Sequence, residues 1–354
     1  MQFDDIRQCR VLPKEGRIQI GERGYDLDDS LTLDAPFGDI PIRALKDAVQ
    51  PYLSLSDSEC QPQVAILVFQ LTGQIRALAH YFPILRILDE KQQFEFHALM
   101  QGILNNKKFR VLMKDPTGQR SKQAVPEGVK ILIAGHICEI FFFQQEMLAR
   151  FLKQRRSFWV YPTKFHFAAA GGRGGGDYHL TLKCIRLYMQ RIFEGFYGTM
   201  PAQAPFIHEF GHMLEHFESW RGISRKGTGL LPGMLKRDGR LYNPEAHHLF
   251  VEGKQLEIDR YQKFQTGQAA KTDPQPLGNP YVFKNNSEFI AGYLEMYFRN
   301  PNQFAKQNAT LYRAFERLIG WDPRQAWKQD YDAYVKKNQQ VYTSGNPINK
   351  SGLI

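Results

Sequence analysis

Three rhythms of apolar and polar positions follow one another along the 354-residue chain. Residues 1 to 60 hold brief alternations such as Arg17-Ile18-Gln19-Ile20, broken by Gly, Asp and Pro, which predict loops and a few short strands. Residues 65–88 and 92–104 then carry Leu, Ile and Phe at helical spacing, with Asn105-Asn106 as a stop. The polar stretch 114–128, with Pro116, Gly118, Pro126 and Gly128, predicts a linker between two regions. Beyond it, 129–143 is almost continuously apolar and suggests a strand. A helix is expected over 144–156, with Met147, Leu148, Phe151 and Leu152 on one side, then strands over 158–170 and 178–187. The glycine-rich run Gly171 to Asp177 lacks both the Lys-Ser/Thr of a phosphate loop and the dinucleotide fingerprint, so it reads as a turn between strands.

The third rhythm is helical again. Pro201 and Pro205 suit the lead-in to a helix whose apolar body is Phe206, Ile207, Phe210, Met213 and Leu214, and which runs to Trp220 before Gly222. Residues 221–280 look like an insertion, irregular apart from a helical piece at 256–265. After the Asn279-Pro280 turn, Asn286 or Ser287 caps a helix with a wide apolar face of Phe289, Ile290, Tyr293, Leu294, Tyr297 and Phe298, ended by Asn300-Pro301. Residues 301–340 suggest two helices, the second from Asp322-Pro323, and 342–354 form a polar tail. The expected architecture is α+β. A mainly helical N-terminal region of unknown role, with some short strands, occupies 1–125. A largely helical domain with a small mixed sheet follows over 126–341.

At 43% hydrophobic and 13% aromatic the chain can bury a core, which excludes a disordered protein. Its formal charge of +10 favours acidic partners. The charge is dispersed, however, and the one dense group (Arg150, Lys153, Arg155, Arg156) suits a solvated helix face. An acidic protein partner is therefore a better expectation than specific nucleic-acid binding. Cys9, Cys60, Cys138 and Cys184 are far apart with no C-x-x-C pairing and read as reduced thiols. The segment MQFDDIRQCR has acids and no apolar h-region, and the longest apolar run, Ile131 to Phe143, contains His136 and Glu139 and is too short for a bilayer. The expectation is a cytoplasmic protein without a membrane span, with signal-independent export left open.

The strongest chemical signal lies inside the helix that Pro205 opens: His208-Glu209-Phe210-Gly211-His212. Histidines four residues apart share one helical face and can present two neutral nitrogens at about 2.0–2.1 Å from one Zn²⁺. Glu209 projects beside them, placed to take a proton from the attacking water. A catalytic zinc needs a third protein ligand and an open fourth position. Glu215 and Glu218 occupy the positions where a metzincin has its glycine and third histidine, so that layout is excluded. His216 sits on the same straight helix and cannot close around the metal. His247 or His248 is possible. Glu288 is the better choice, because it opens a new apolar helix that would pack against the first and aim its carboxylate across.

The pairing of HEFGH with a downstream Asn285-x-x-Glu288-Phe289-x-Ala291 helix resembles the gluzincin-type peptidases related to the protease domain of anthrax lethal factor. It also resembles the bacterial titration-factor peptidases, as does the later run LYRAFERLIGWDP at 311–323. The resemblance covers roughly residues 200–335, and the first 125 match nothing nameable. It implies a zincin-like fold and a zinc-dependent peptidase holding one Zn²⁺ per chain and acting on a protein or peptide substrate. It implies His208, His212 and Glu288 as metal ligands and Glu209 as general base. Tyr281, seven residues before Glu288, falls where these enzymes keep a tyrosine whose hydroxyl faces the tetrahedral intermediate. Two departures stand out. Gly292 occupies the place of a second glutamate one turn past the ligand, with Glu295 further on, and the 221–280 insertion is long. The alternative is a basic protein that binds a regulator or nucleic acid on the same fold, with weak or vestigial peptidase activity.

Overall fold

The structure, a computed structural model, describes residues 10–12, 17–20, 23–26, 32–33, 40–41, 81–193, 204–217, 243–270, 272–326, 330 and 339–342. The 65–80 part of the helix expected over 65–88, the 218–220 end of the helix expected from Pro205, the 221–242 part of the insertion, and the tail beyond 342 lie outside these residues. Near the N-terminus, β1 (Arg10–Leu12), β2 (Arg17–Ile20) and β3 (Arg23–Asp26) pair antiparallel, and β4 (Thr32–Leu33) pairs with β5 (Ile40–Pro41).

The main body is an α+β domain, largely helical with a small mixed sheet. Its four strands are β6 (Phe109–Met113), β7 (Arg156–Tyr161), β8 (Gly176–His179) and β9 (Cys184–Tyr188), in the order β6-β7-β9-β8. Strands β6, β7 and β9 run parallel, and β8 lies antiparallel at one edge. The hairpin β8–β9 turns through Lys183 at positive φ and is fastened by Arg186, which donates twice to its registered partner Asp177 at 2.6 Å. The sheet and core draw on both sides of residue 125: α1 (Glu90–Leu104) and β6 precede it, and their buried Phe96, Met100 and Phe109 belong to the same core as Val129 and Ile133.

Several expected elements take another form, each for a legible reason. The apolar run expected as a strand at 129–143 is a helix, α2 (Glu127–Phe141). A run that is apolar on every side has no period to separate helix from strand, and complete burial of Val129, Ile133, Ile137 and Phe141 lets a core helix absorb it. Its neighbour α3 (Gln145–Leu152) matches the expected amphipathic helix. The strand expected over 158–170 stops at Tyr161, because Thr163 accepts a hydrogen bond from the His166 amide and caps α4 (Lys164–Ala169). A short α5 (Met189–Phe193) follows β9.

Within the second half, α6 (Pro205–Glu215) begins on Pro205 as expected. The helical piece expected at 256–265 is the end of a 22-residue helix, α7 (Pro244–Gln265). Its buried stripe, Ala246, Phe250, Gly253, Glu257 and Tyr261, includes a glycine and a glutamate, which hides the period from a hydrophobicity pattern. Glu257 is buried because Tyr293 Oη, the Leu277 amide and Asn308 all donate to it. Then come α8 (Asn286–Arg299), α9 (Pro301–Gln307) and α10 (Ala309–Ile319). The cap of α8 is Asn285, one residue earlier than expected. Asp322-Pro323 opens only a single 3-10 turn among the described residues. Tyr342, expected in a polar tail, is buried and donates to the Gly278 carbonyl at 2.5 Å. No helix of the described residues is long and apolar enough to cross a membrane.

Helix α6 sits between the sheet edge and α8. Its apolar side enters the core, where Phe206 stacks on Phe210 and Phe210 meets Phe141 and Phe151 edge-on. Toward α8 it presents Gly211, where an added Cβ would lie 2.9 Å from Ala291 Cα. Two backbones touch at that point. Gly211→Ala is expected to force the helices apart and cost about 1–3 kcal/mol in a urea denaturation series; an unchanged midpoint would show that this contact does not set the helix spacing.

Candidate metal centre

The two histidines occupy the polar edge of α6, one turn apart, while its other residues tie the helix down. Opposite them, Asn285 accepts from the Glu288 amide at 2.9 Å, which fixes the first turn of α8 and points Glu288 at α6. Glu288 Oε2 lies 3.1 Å from His208 Nε2 and 3.3 Å from His212 Nε2. One donor atom from each of these three residues falls within 4.8 Å of the others, the only such group of three among the described residues.

The remaining ring nitrogens have partners of their own. His212 Nδ1 is 2.8 Å from Ser287 Oγ, and His208 Nδ1 is 3.6 Å from Glu295 Oε2. With each Nδ1 occupied, both Nε2 atoms face the common centre, and once the rings are neutral the tautomer that leaves Nε2 as a lone-pair donor is favoured. Two imidazole nitrogens and one carboxylate oxygen, converging from two helices, are compatible with a single metal site of the catalytic zinc type. Glu295 also accepts from the Ala204 amide at 2.5 Å, so the carboxylate that orients His208 also anchors the start of α6.

The electrostatics separate the carboxyl groups. Burial pushes the Glu209 carboxyl above its ordinary value, only partly opposed by His208 and His212. Burial also acts on Glu288, but hydrogen bonds to His208 and His212 outweigh it and hold that carboxyl well below the usual range. For His208, burial is overcome by hydrogen bonds to Glu288 and Glu295, and its value rises to about 10. Tyr281 donates from Oη to Glu288 Oε1 at 2.8 Å, on a turn (Pro280–Phe283) whose leading residue, Asn279, accepts from the Tyr281 amide. Burial of the hydroxyl and the nearby Glu288 charge raise the Tyr281 value, while 54% of the residue stays exposed.

His208, Glu209 and Tyr281 line an open cavity of about 380 Å³, with the 174–176 glycines on another wall. A larger depression of about 600 Å³ follows the C-terminal half of α7 and touches none of the cluster. Of the other sequence candidates, His248 is exposed beside Glu252, and neither it nor His247 joins the cluster. His136 and Cys138 are core residues: His136 is sandwiched by Phe206 and Phe82.

Pattern reading missed Ser287 and Glu295 as orienting groups. Glu295 carried a signal, since it lies seven residues after Glu288 and thus on the same face of α8 two turns on. Gly292, one turn after Glu288, carries no side chain for a concrete reason: a Cβ there would meet Val282 Cγ1 at 2.4 Å. The turn bearing Tyr281 packs where that side chain would go. No protein-family model matches this chain, and no curated protein matches it.

Two outcomes are expected. Glu295→Gln should weaken zinc binding about 10–100-fold in a chelator competition, as loss of a group that orients a ligand does; unchanged affinity would leave Glu295 only its bond to Ala204. Below its value of about 10, His208 carries a proton that a metal must displace, so zinc affinity should rise as pH rises toward that point. Calorimetry near neutral pH in buffers of different ionisation enthalpy should detect about one proton released per zinc; none released would mean that His208 is already neutral.

Proposed function

We propose that this chain is a zinc-dependent peptidase that hydrolyses peptide bonds with an activated water. The observation that carries the reading is the convergence of His208, His212 and Glu288 beside the buried Glu209, with His208 and Glu209 lining an open cavity. His208, His212 and Glu288 would hold the Zn²⁺, which would supply Lewis acidity toward the scissile carbonyl and make water acidic enough to attack near neutral pH.

The rest falls to the protein. Glu209 follows the first histidine and takes the proton of the attacking water. Its raised value suits it to pass that proton on to the departing amine, since a catalytic acid–base works best near the operating pH. Glu288, held ionised by its two histidines, remains a ligand and does not compete for the proton. The Tyr281 hydroxyl, at the cavity wall, serves as hydrogen-bond donor to the developing oxyanion. Strand β8 lies at the sheet edge with no strand on its outer side among the described residues, and α6 packs beside it. An extended peptide paired with that edge would run past the cluster, which supports a peptide substrate over a small ester.

The test pairs metal content with turnover of a quenched fluorescent peptide. Wild type is expected to hold about one zinc per chain, and Glu288→Ala little. Glu209→Gln should keep its zinc while kcat falls at least 10²-fold, on the order of what loss of a general base costs. Tyr281→Phe should also keep its zinc, with kcat lower by about 10²–10³ and KM little changed. Full activity in Glu209→Gln would remove the base assignment, and full activity in Tyr281→Phe would leave Tyr281 a brace for Glu288.

A further inference from the structure

Tyr281 is 54% exposed and stands on a four-residue turn, whereas the two histidines and Glu288 stand on packed helices. A hydrogen-bond donor serves a developing oxyanion only if it is held close to one position. What holds this turn lies behind it, in the core. The carboxylate of Glu257 on α7 is fully buried, at 0% exposure. Its Oε2 accepts from the Leu277 amide at 2.9 Å and from Tyr293 Oη at 2.5 Å. Its Oε1 accepts from Asn308 Nδ2 at 3.1 Å and from Arg260 Nη1 at 2.5 Å. These donors satisfy an anion that is otherwise costly to bury.

The network continues into the backbone just before the turn. An ionised carboxylate only accepts, so Tyr293 Oη donates its proton to Glu257, and its lone pairs accept from the Gly278 amide at 3.3 Å. The Gly278 carbonyl accepts from Tyr342 Oη at 2.5 Å. Leu277 and Gly278 are thus fastened to α7, to α8 and to the segment that carries Tyr342. A side chain at 278 is excluded, because its Cβ would lie 2.3 Å from Val282 Cγ2. At the far end of the turn, Phe283 stacks on Tyr261 with ring centroids 4.3 Å apart, and Tyr342 meets Tyr261 edge-on. Tyr281 is carried between these two fixed ends, with its hydroxyl on Glu288.

Building on the peptidase reading, we propose that Tyr293 and Tyr342, anchored by Glu257, are positioning residues that set the Tyr281 hydroxyl for the oxyanion. Neither lines the cavity at the candidate centre, and each acts through the backbone of Gly278. The hydroxyl of Tyr293 is not what fills the core. Its ring stacks on Phe289 at 4.2 Å and meets Phe304 edge-on, contacts that a phenylalanine keeps. What a phenylalanine loses is the bond to Gly278, and with it the setting of the turn. A donor held ready before substrate arrives needs no reorganisation at the moment of reaction.

The experiment uses the zinc-loaded full chain and the variants Tyr293→Phe and Tyr342→Phe, each made with and without Tyr281→Phe. Turnover of a quenched fluorescent peptide gives kcat and KM. With Tyr281 present, each variant is expected to lower kcat about tenfold while KM and zinc content stay constant, the pattern of a contact realised only in the transition state. With Tyr281→Phe present, the same substitutions should cost less than about twofold, because the group they position is already gone. An equal loss in both backgrounds overturns the proposal and leaves the network a support of the fold. So does an unchanged kcat in both variants. Tyr342→Phe leaves every donor to Glu257 in place and keeps the test decisive where Tyr293→Phe does not fold. A second readout is independent of turnover: 3-fluorotyrosine at position 281, followed by fluorine NMR in the same zinc-loaded chain. A single narrow resonance is expected in the parent, displaced or split in each variant; an unchanged resonance in both overturns the proposal. A parent that cleaves no peptide counts against the peptidase reading, while the resonance still decides whether Tyr293 and Tyr342 set Tyr281.

Discussion

The contact between α6 and α8 at Gly211 and Ala291 is the constraint on which the centre depends. Histidines on one helix can offer a metal only one side, and the third donor must come from a second helix close enough for its first turn to reach. A glycine facing an alanine brings the two backbones to the distance where even a methyl group would collide. The apolar side of α6 supplies the force that holds it there, through stacked Phe206 and Phe210 and the edge-on Phe141 and Phe151. Packing and chemistry are thus carried by the same eleven-residue helix.

Bringing three carboxylates and two imidazoles together in a partly buried place is expensive unless each is paired. The arrangement answers that cost for four of the five groups by giving them partners. Ser287 and Glu295 take the outer nitrogens of the histidines, Glu288 takes the inner ones, and Glu295 has the Ala204 amide as well. Glu209 is left buried without such support, and its proton affinity rises while that of Glu288 falls. Two glutamates of one kind are driven toward two roles by their surroundings.

The turn at 280–283 links this network to the cavity. It places the Tyr281 hydroxyl on Glu288 and fills the space above Gly292, and the carboxylate that faces His208 Nδ1 comes from Glu295, one turn further along α8. Across the cavity, the glycine loop and α5 form the other wall. The space between is bounded by parts that are distant in the chain and joined only through the sheet and the two helices.

How much of this was legible in the sequence follows from the range of the interactions. The H-E-x-x-H spacing is local: four residues make one helical turn whatever surrounds them, so the chain alone determined that His208 and His212 share a face. Pro205 as a helix start and the amphipathic α3 were legible for the same reason. Glu288 could be singled out because it opens an apolar helix, but its 3.1 Å approach to His208 rests on packing between segments 80 residues apart. Elements whose pattern lacked contrast take another form: α2 is apolar on all sides, and the buried stripe of α7 contains Glu257, whose burial is supported by Tyr293, Leu277 and Asn308 from elsewhere in the chain as well as by Arg260 on its own helix. The contact of Ser287 with His212, and that of Glu295 with His208 beyond its shared face with Glu288, were decided by the tertiary structure. A serine or a glutamate has no local signature of function, and what it does is set by the group that folding places beside it.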